Sequence, residues 1–119
     1  MKMKNIWLDE PEEHDFPAAA DYLELLFDEK EVEKLVEKLR NALTTQKKAK
    51  DILRASNLPL LPQSNPEVKI NLKKVKKGTK LSPVLLVKNH SHLIIADGYH
   101  RVCAIYYLSE NLEIPCRLV

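Results

Sequence analysis

The sequence predicts a single α+β domain, on the evidence of two patterns. The first half has helical spacing of apolar residues, most clearly at Val32, Leu35, Val36 and Leu39, which recur at i, i+3, i+4 and i+7. The last third instead contains short, nearly continuous apolar runs that are typical of buried strands. A helix-rich half packed against a small mixed sheet defines the α+β class. A length of 119 residues suits one domain of ordinary size.

The N-terminal region begins with a short segment, residues 5–8, that we interpret as a strand or an irregular lead-in. A first helix is predicted over residues 14–27. Asp15 is its expected N-cap, because aspartate accepts hydrogen bonds from free amides at a helix start. Pro17 is tolerated in the first turn, where its missing N–H costs nothing.

Two further helices are predicted before residue 57. Asp28 followed by Glu31 resembles a capping box, in which the two side chains satisfy amides at the helix start. This box precedes the amphipathic stripe described above, so it marks the start of the second helix. A third helical piece carries three apolar residues: Ala49, Ile52 and Leu53.

The middle of the chain contains a connector followed by a lysine-rich helix. Residues 58–62, L-P-L-L-P, cannot form a long helix because two prolines interrupt them, and their apolar character predicts a packed connector. Ser64 and Glu67 form a second capping box, with Pro66 in the first turn. Gly78 stands where a glycine commonly ends a helix. The residues predicted to point inward are Val68, Leu72 and Val75.

The last third reads as a compact strand–helix unit. Residues 83–88 and 92–96 are predicted strands, joined by turn residues that include His90. An Asp-Gly pair then precedes a helix over 99–110, and residues 114–119 form a closing strand. The order is therefore strand, turn, strand, tight turn, helix, strand.

Composition excludes several classes of protein. No apolar run approaches the ~20 residues of a membrane-spanning helix, and the first residues lack the apolar region of a signal peptide. Only two glycines occur, which excludes glycine-rich dinucleotide and P-loop motifs. The two cysteines, Cys103 and Cys116, are interpreted as small buried hydrophobes in a reducing compartment. We therefore expect a cytoplasmic protein without membrane contact. The four histidines are too scattered in sequence to predict a metal site.

Charge is distributed unevenly along the chain. Twelve acidic residues lie between Asp9 and Glu37, against two lysines. The later part carries a basic cluster: Lys69, Lys73, Lys74, Lys76, Lys77 and Lys80. Such blocks are usually solvated helix faces, and a nucleic-acid or other anion surface is the sharper alternative. The two blocks could also face each other, within one molecule or between copies.

The motif that bears on chemistry is Asp97-Gly98-Tyr99-His100-Arg101, which follows a strand and opens a helix. A helix N-terminus leaves unpaired N–H groups and carries a partial positive charge. Gly98 permits a sharp turn and removes the Cβ that would hinder an approaching anion. His100 and Arg101 add cationic donors where the helix dipole disfavours them, which is typical of functional positions. The motif therefore predicts an anion site, best suited to phosphate.

Four members of the motif have alternative roles. Asp97 is either a structural N-cap or a functional group that holds Mg²⁺ or acts as a base beside a phosphate. Tyr99 either packs into the core together with Tyr106 and Tyr107, or stacks on a base or orients a phosphate. For His100 and Arg101 the structural alternative is a pair of surface or salt-bridged side chains.

Residues 82–119, from S-P-V-L-L-V-K through D-G-Y-H-R to I-P-C-R-L-V, resemble the core of the ParB/sulfiredoxin superfamily. The resemblance covers a strand, an apolar strand ending at a glycine turn, a helix that opens with His-Arg, and a closing strand after a proline. The D-G-[YH]-H-R form resembles that of free-serine kinases and small uncharacterised bacterial members of the superfamily. It implies one domain over 1–119, with a core at 82–119 and a helical part at 15–77.

The resemblance also implies a nucleotide site. It places phosphate contacts on Gly98, His100 and Arg101 and implies ATP or another nucleotide, with Mg²⁺. The chain departs from sulfiredoxins at Tyr99, where they have a reactive cysteine. ParB proteins continue after this core into a DNA-binding domain, whereas this sequence ends at Val119, so we do not expect centromere binding. Serine kinases need an upstream catalytic acid, for which Asp21 and Glu24 are the candidates.

The expected function is therefore nucleotide or phosphate binding, extending to phosphoryl transfer or nucleotide hydrolysis. Asp97 and His100 are the candidate catalytic residues, and phosphate binding is assigned to Gly98, Tyr99, His100 and Arg101. One alternative is a non-enzymatic regulatory module that binds a protein partner or a second copy of itself. The other is a nucleic-acid-binding accessory protein that uses its lysine-rich helix.

Overall fold

The computed structural model describes residues 6–119, so the predicted lead-in segment at 5–8 lies partly outside it. Within it, Trp7 pairs in parallel with Leu81 as an isolated bridge. The Leu8 amide donates to the Leu81 carbonyl at 2.8 Å, and the Leu81 amide donates to the Ile6 carbonyl at 2.7 Å. This bridge ties the start of the described chain to the segment before the last strand–helix unit.

Residues 6–119 form five helices and a four-stranded mixed sheet, which confirms the α+β class. In chain order the elements are α1 (Asp15–Leu23), α2 (Glu29–Asn41), β1 (Thr45–Lys48), α3 (Ala49–Ser56), α4 (Pro66–Lys77), β2 (Val84–Val87), β3 (Ile94–Asp97), α5 (Tyr99–Leu108) and β4 (Glu113–Leu118). None of these helices has the length and apolar character that crossing a bilayer requires.

The sheet has the strand order β1-β4-β2-β3. The outer pairs, β1 with β4 and β2 with β3, are antiparallel, and the central pair β2 with β4 is parallel. The sequence predicted β2, β3 and β4 but not β1. The reason is physical: β1 is a polar edge strand, Thr-Gln-Lys-Lys, with all four residues exposed, so it has no apolar pattern.

The sheet separates two hydrophobic cores. Side chains alternate along β2, so Leu85 and Val87 pack against α1 and α2 on one face. Val84 and Leu86 pack against α3, α4 and α5 on the other face. Burial on both faces explains why the predicted strands were continuous apolar runs rather than alternating ones.

The start of α1 differs from the prediction. His14 occupies the N-cap position, and the predicted cap, Asp15, is the first helical residue and is buried. Its Oδ2 atom accepts from the Glu12 amide at 2.9 Å, outside the helix. The helix ends at Leu23 rather than at residue 27, because residues 24–27 form the turn into α2.

The predicted caps of the later helices are partly confirmed. Asp28 Oδ1 accepts from the Glu31 amide at 2.9 Å, as expected for the start of α2. The cap of α4 is Asn65 rather than Ser64, since its Oδ1 accepts from the amides of the second and third helical residues at 2.9 and 3.2 Å. Gly78 ends α4 in the left-handed conformation, with φ of 79°, as predicted.

The 58–62 connector is more exposed than predicted. Leu58 and Leu60 are 36% and 38% exposed, whereas Leu61 is half-buried and packs against the core. Two tyrosines of α5 also hold the segment. The Tyr99 hydroxyl donates to the Pro59 carbonyl, and the Tyr107 hydroxyl donates to the Leu61 carbonyl at 2.7 Å.

Candidate functional site

The junction between β3 and α5 depends on Gly98. Its φ of 111° lies in the left-handed region, which disfavours side chains. A Cβ built there would lie 2.5 Å from Val84 Cγ1 and 2.9 Å from Arg101 Nη2. The space beside Gly98, which the sequence predicted would admit an anion, is therefore filled by the side chains of Val84 and Arg101. The glycine is required for the turn and for this close packing.

The start of α5 has three free backbone donors. Gly98 occupies the N-cap position and has no side chain that could accept from the first turn. The amides of Tyr99, His100 and Arg101 have no hydrogen-bond acceptor among residues 6–119. All three residues are half-buried, so the end of the helix lies at the surface. Unpaired amides and the positive end of the helix dipole together favour an anion.

Asp97 is not the N-cap of α5. It is the last residue of β3, and its Oδ2 accepts from Arg101 Nη2 at 3.0 Å. The same nitrogen lies 3.4 Å from the Pro83 carbonyl, and the side chains of Arg101 and Asp97 are 16% and 18% exposed. Arg101 therefore folds back across the turn, and its buried Nε has no partner in the described part of the chain.

The ion pair with Asp97 directs the Arg101 side chain away from that of His100, so the two side chains do not converge on one point. Consecutive helical residues project about 100° apart, and Arg101 points back toward β3. The His100 ring lies beside the Tyr99 ring instead, with 5.7 Å between their centroids. No hydrogen bond to the His100 side chain occurs within the described residues. The imidazole is therefore free to contact a ligand at the end of the helix.

A second carboxylate reaches the junction from α1. Asp15 is 3% exposed, and its Oδ2 accepts from the Ser82 hydroxyl as well as from the Glu12 amide. Burial raises the pKa of Asp97, the Arg101 guanidinium opposes this, and the negative charge of Asp15 adds to the rise. Asp15 and Asp97 therefore interact through their charges, while Arg101 pairs with Asp97 and Ser82 donates to Asp15.

Asp15, rather than either acidic residue named from the sequence, is the α1 side chain that interacts with Asp97. Asp21 and Glu24, the candidates from the sequence, are both exposed, and neither makes an ion pair or hydrogen bond with Asp97 in residues 6–119. Asp15 was interpreted as a helix cap because its type and position suit one. Its burial beside Asp97 depends on packing of α1 against β3, which no local pattern reveals.

The Tyr99 side chain is held by contacts with other residues of the protein. Its hydroxyl donates to the Pro59 carbonyl, and its ring packs at the edge of the core formed with α3, α4 and α5. Burial raises the pKa of Tyr99, so the hydroxyl remains a donor at neutral pH. Only the backbone amide of this residue is available to a ligand at the junction.

No family model, curated protein or solved structure matches this chain. The geometry of the site is therefore the basis for its interpretation. It offers free amides, an imidazole and a guanidinium beside two interacting carboxyl groups, which is a set suited to binding an anion and moving a proton.

The cysteines and the remaining acidic and histidine residues form no second candidate site in the described part of the chain. In the part of the chain that the structure describes, no three His, Cys, Asp or Glu residues are arranged to hold a metal ion. Cys103 and Cys116 are free and buried, as predicted. Burial raises the pKa of both thiols, that of Cys116 to about 11, so both stay protonated and unreactive near neutral pH.

Proposed function

We propose that this protein binds the phosphate groups of a nucleotide at the N-terminus of α5. The observation that carries the proposal is the set of three uncapped amides, those of Tyr99, His100 and Arg101, at a half-buried helix end. Such amides point toward the same region and act with the helix dipole on negative charge. The His100 imidazole adds a further donor.

Arg101 supports this site from the side. Nη2 is held by Asp97 and the side chain points back toward β3, so Arg101 acts on a bound phosphate through its charge. The pairing also keeps part of the guanidinium charge near the helix end without leaving Asp97 uncompensated. Arg101 thus places positive charge near the bound ligand and holds the Asp97 carboxylate in position.

The carboxyl pair supports phosphoryl transfer or nucleotide hydrolysis. In this proposal the oxygen of a hydroxyl or water bonds to the terminal phosphorus, the bond from that phosphorus to the rest of the nucleotide breaks, and the shortened nucleotide leaves. An Asp97 oxygen accepts the proton of the attacking group, and Asp15 raises the affinity of Asp97 for that proton. A Mg²⁺ ion bound with the nucleotide would neutralise phosphate charge. It would be held by the phosphate oxygens, because Asp15 is buried and Asp97 is paired with Arg101. Arg101 favours the ionised form of Asp97 before the reaction.

The same proposal includes the ParB/sulfiredoxin-like assignment and a cytoplasmic location. The strand, strand, helix, strand order over 84–118 supports the first, because it follows the order on which the resemblance rests. Two free buried cysteines support a reducing compartment.

Binding is tested by thermal unfolding with millimolar ATP, ADP, CTP or GTP and Mg²⁺. One of these nucleotides should stabilise the protein, by about 2.7 kcal/mol when present at ~100 times its Kd. His100→Ala should weaken binding, and His92→Ala, an exposed histidine in the β2–β3 turn, should not. Absence of stabilisation by all four nucleotides would contradict the proposal.

The Asp97→Asn variant distinguishes an enzyme from a protein that only binds nucleotide. An enzyme should lose turnover in this variant while retaining nucleotide binding, because the amide still accepts from Arg101 but cannot take a proton. A wild-type protein that binds nucleotide without phosphate release or transfer to a second substrate would instead be a regulatory binding module.

A further inference from the structure

A groove between α1 and α2 combines an apolar floor with an acidic rim. Its volume is about 410 Å³, and its floor consists of Ala20, Val32 and Val36. The rim consists of Glu24, Glu29, Glu33 and Glu37, the last three spaced so that they follow one face of α2. Lys30 and Lys34 belong to the same helix but do not line the groove.

A complementary surface lies on α4. Ile70 is 45% exposed there. Three exposed lysines, Lys73, Lys74 and Lys77, follow it at i+3, i+4 and i+7, so they share its face. Within residues 6–119 none of them makes an ion pair. We call Ile70 and these lysines the basic face.

These two surfaces cannot meet within one molecule. The acidic groove belongs to α1 and α2, which pack on one face of the sheet. The basic face belongs to α4, whose Val68 packs into the core on the opposite face. The sheet and both cores separate them, so the charge of each remains uncompensated by the other in a single chain.

We propose that copies of this chain associate head to tail, with the basic face of one molecule in the acidic groove of the next. Ile70 then covers the apolar floor, and the lysines meet the glutamates, whose helical spacing of three to four residues matches theirs. A contact between two different surfaces does not close on itself in a dimer, so association continues into rings or open chains. Opposite charges steer the encounter and exclude like-charged pairings.

The test measures oligomeric mass by sedimentation across micromolar to millimolar protein concentrations. Wild type should form assemblies larger than a dimer at about 50 mM salt. It should dissociate at about 500 mM salt, where exposed charges more than ~5 Å apart are screened from each other. Glu33→Lys and Lys73→Glu should each weaken association at least about tenfold, since each places like charges in contact. Lys88→Glu and Glu110→Lys reverse exposed charges outside both surfaces and should have no effect.

A mixture of the Glu33→Lys and Lys73→Glu chains provides the most specific test. The Glu33→Lys chain retains the basic face, and the Lys73→Glu chain retains the acidic groove, so together they can form one native contact. An equimolar mixture should therefore grow beyond a dimer again, because the two reversed surfaces left over are also opposite in charge. A chain carrying both reversals should associate for the same reason. The substituted residues are exposed, so circular dichroism should show unchanged folding.

Two results would overturn the proposal. One is a wild-type chain that stays monomeric throughout the concentration range at low salt. The other is a monomer whose α4 lysines bind DNA with strong salt dependence, which would assign the basic face to nucleic acid instead. Neither result bears on the nucleotide site, because α5 begins outside both surfaces.

Discussion

The Asp97 carboxylate accepts from the Arg101 guanidinium at 3.0 Å, across the single glycine that separates β3 from α5. The pair joins the last residue of the strand to the first turn of the helix. Since Arg101 also covers Gly98, the turn, the ion pair and the free amides of α5 form one unit. A substitution that disrupts the turn or removes the Arg101 side chain should therefore alter both stability and ligand binding.

Asp97 should make stability depend on pH in a defined direction. Burial raises its pKa in the folded protein above the 3.8 of an exposed aspartate, so the folded state holds this proton more tightly than the unfolded state. Stability from this group is therefore present at low pH and lost as pH rises through the folded pKa. As pH falls from neutrality toward ~3.8, wild type should gain stability relative to Asp97→Asn.

Urea unfolding of both proteins at a series of pH values measures this difference. If Asp97→Asn instead gains on wild type as the pH falls, the carboxyl has a lowered pKa. Its ion pair with Arg101 would then outweigh its burial.

Gly98→Ala should be more destabilising than Gly78→Ala. Both glycines have positive φ, so both substitutions strain the backbone, by about 1 kcal/mol. Only at Gly98 does the added Cβ meet protein, 2.5 Å from Val84 Cγ1, whereas nothing lies within 4 Å at Gly78. We expect roughly 2–4 kcal/mol at Gly98 by chemical denaturation. Equal losses at the two positions would show that the Val84 contact relaxes without cost.

Removing either tyrosine hydroxyl should loosen the 58–62 connector. Tyr99→Phe and Tyr107→Phe each delete a hydrogen bond to a connector carbonyl, which is worth about 1 kcal/mol. Hydrogen exchange over 58–62 should become faster in both variants. Because the Tyr99 hydroxyl points to Pro59 rather than to the start of α5, Tyr99→Phe should weaken nucleotide binding less than His100→Ala does. A larger loss for Tyr99→Phe would place this hydroxyl on the ligand.

Arg117 should stabilise α2 from β4. It is 9% exposed, and its Nη1 donates to the carbonyls of Leu39 and Arg40, at 3.2 and 2.7 Å, near the end of α2. Arg117→Met should cost about 2–4 kcal/mol, because it leaves these carbonyls without a charged donor. Arg54→Met, at an arginine side chain that is 86% exposed, should change stability by less than ~0.5 kcal/mol. Similar losses in the two variants would argue against this role.

Elements with a local apolar pattern could be predicted from the sequence. The stripe of α2 and the continuous runs of β2 and β3 report burial directly, and the structure confirms them. Strand β1 could not be predicted, because it is exposed and its pairing depends only on backbone hydrogen bonds to β4. The shift from Ser64 to Asn65 arose because both residue types cap helices and stand side by side.

The candidate site could be predicted only where it is contiguous in sequence. The D-G-Y-H-R segment predicted a turn into a helix, which the structure confirms. The direction of Arg101 could not be predicted, because it depends on Asp97 and on the Pro83 carbonyl together. The interaction of Asp15 with Asp97 could not be predicted either. The two residues are 82 positions apart in the chain and meet only because α1 packs against β3.

The most direct test of the nucleotide site follows the backbone amides of Tyr99, His100 and Arg101 by NMR during a titration with ATP and Mg²⁺. The account predicts that these three resonances shift together and saturate with one Kd, ahead of any change on the lysines of α4. Resonances that stay fixed while those of α4 move would contradict it, because the phosphates would then bind elsewhere.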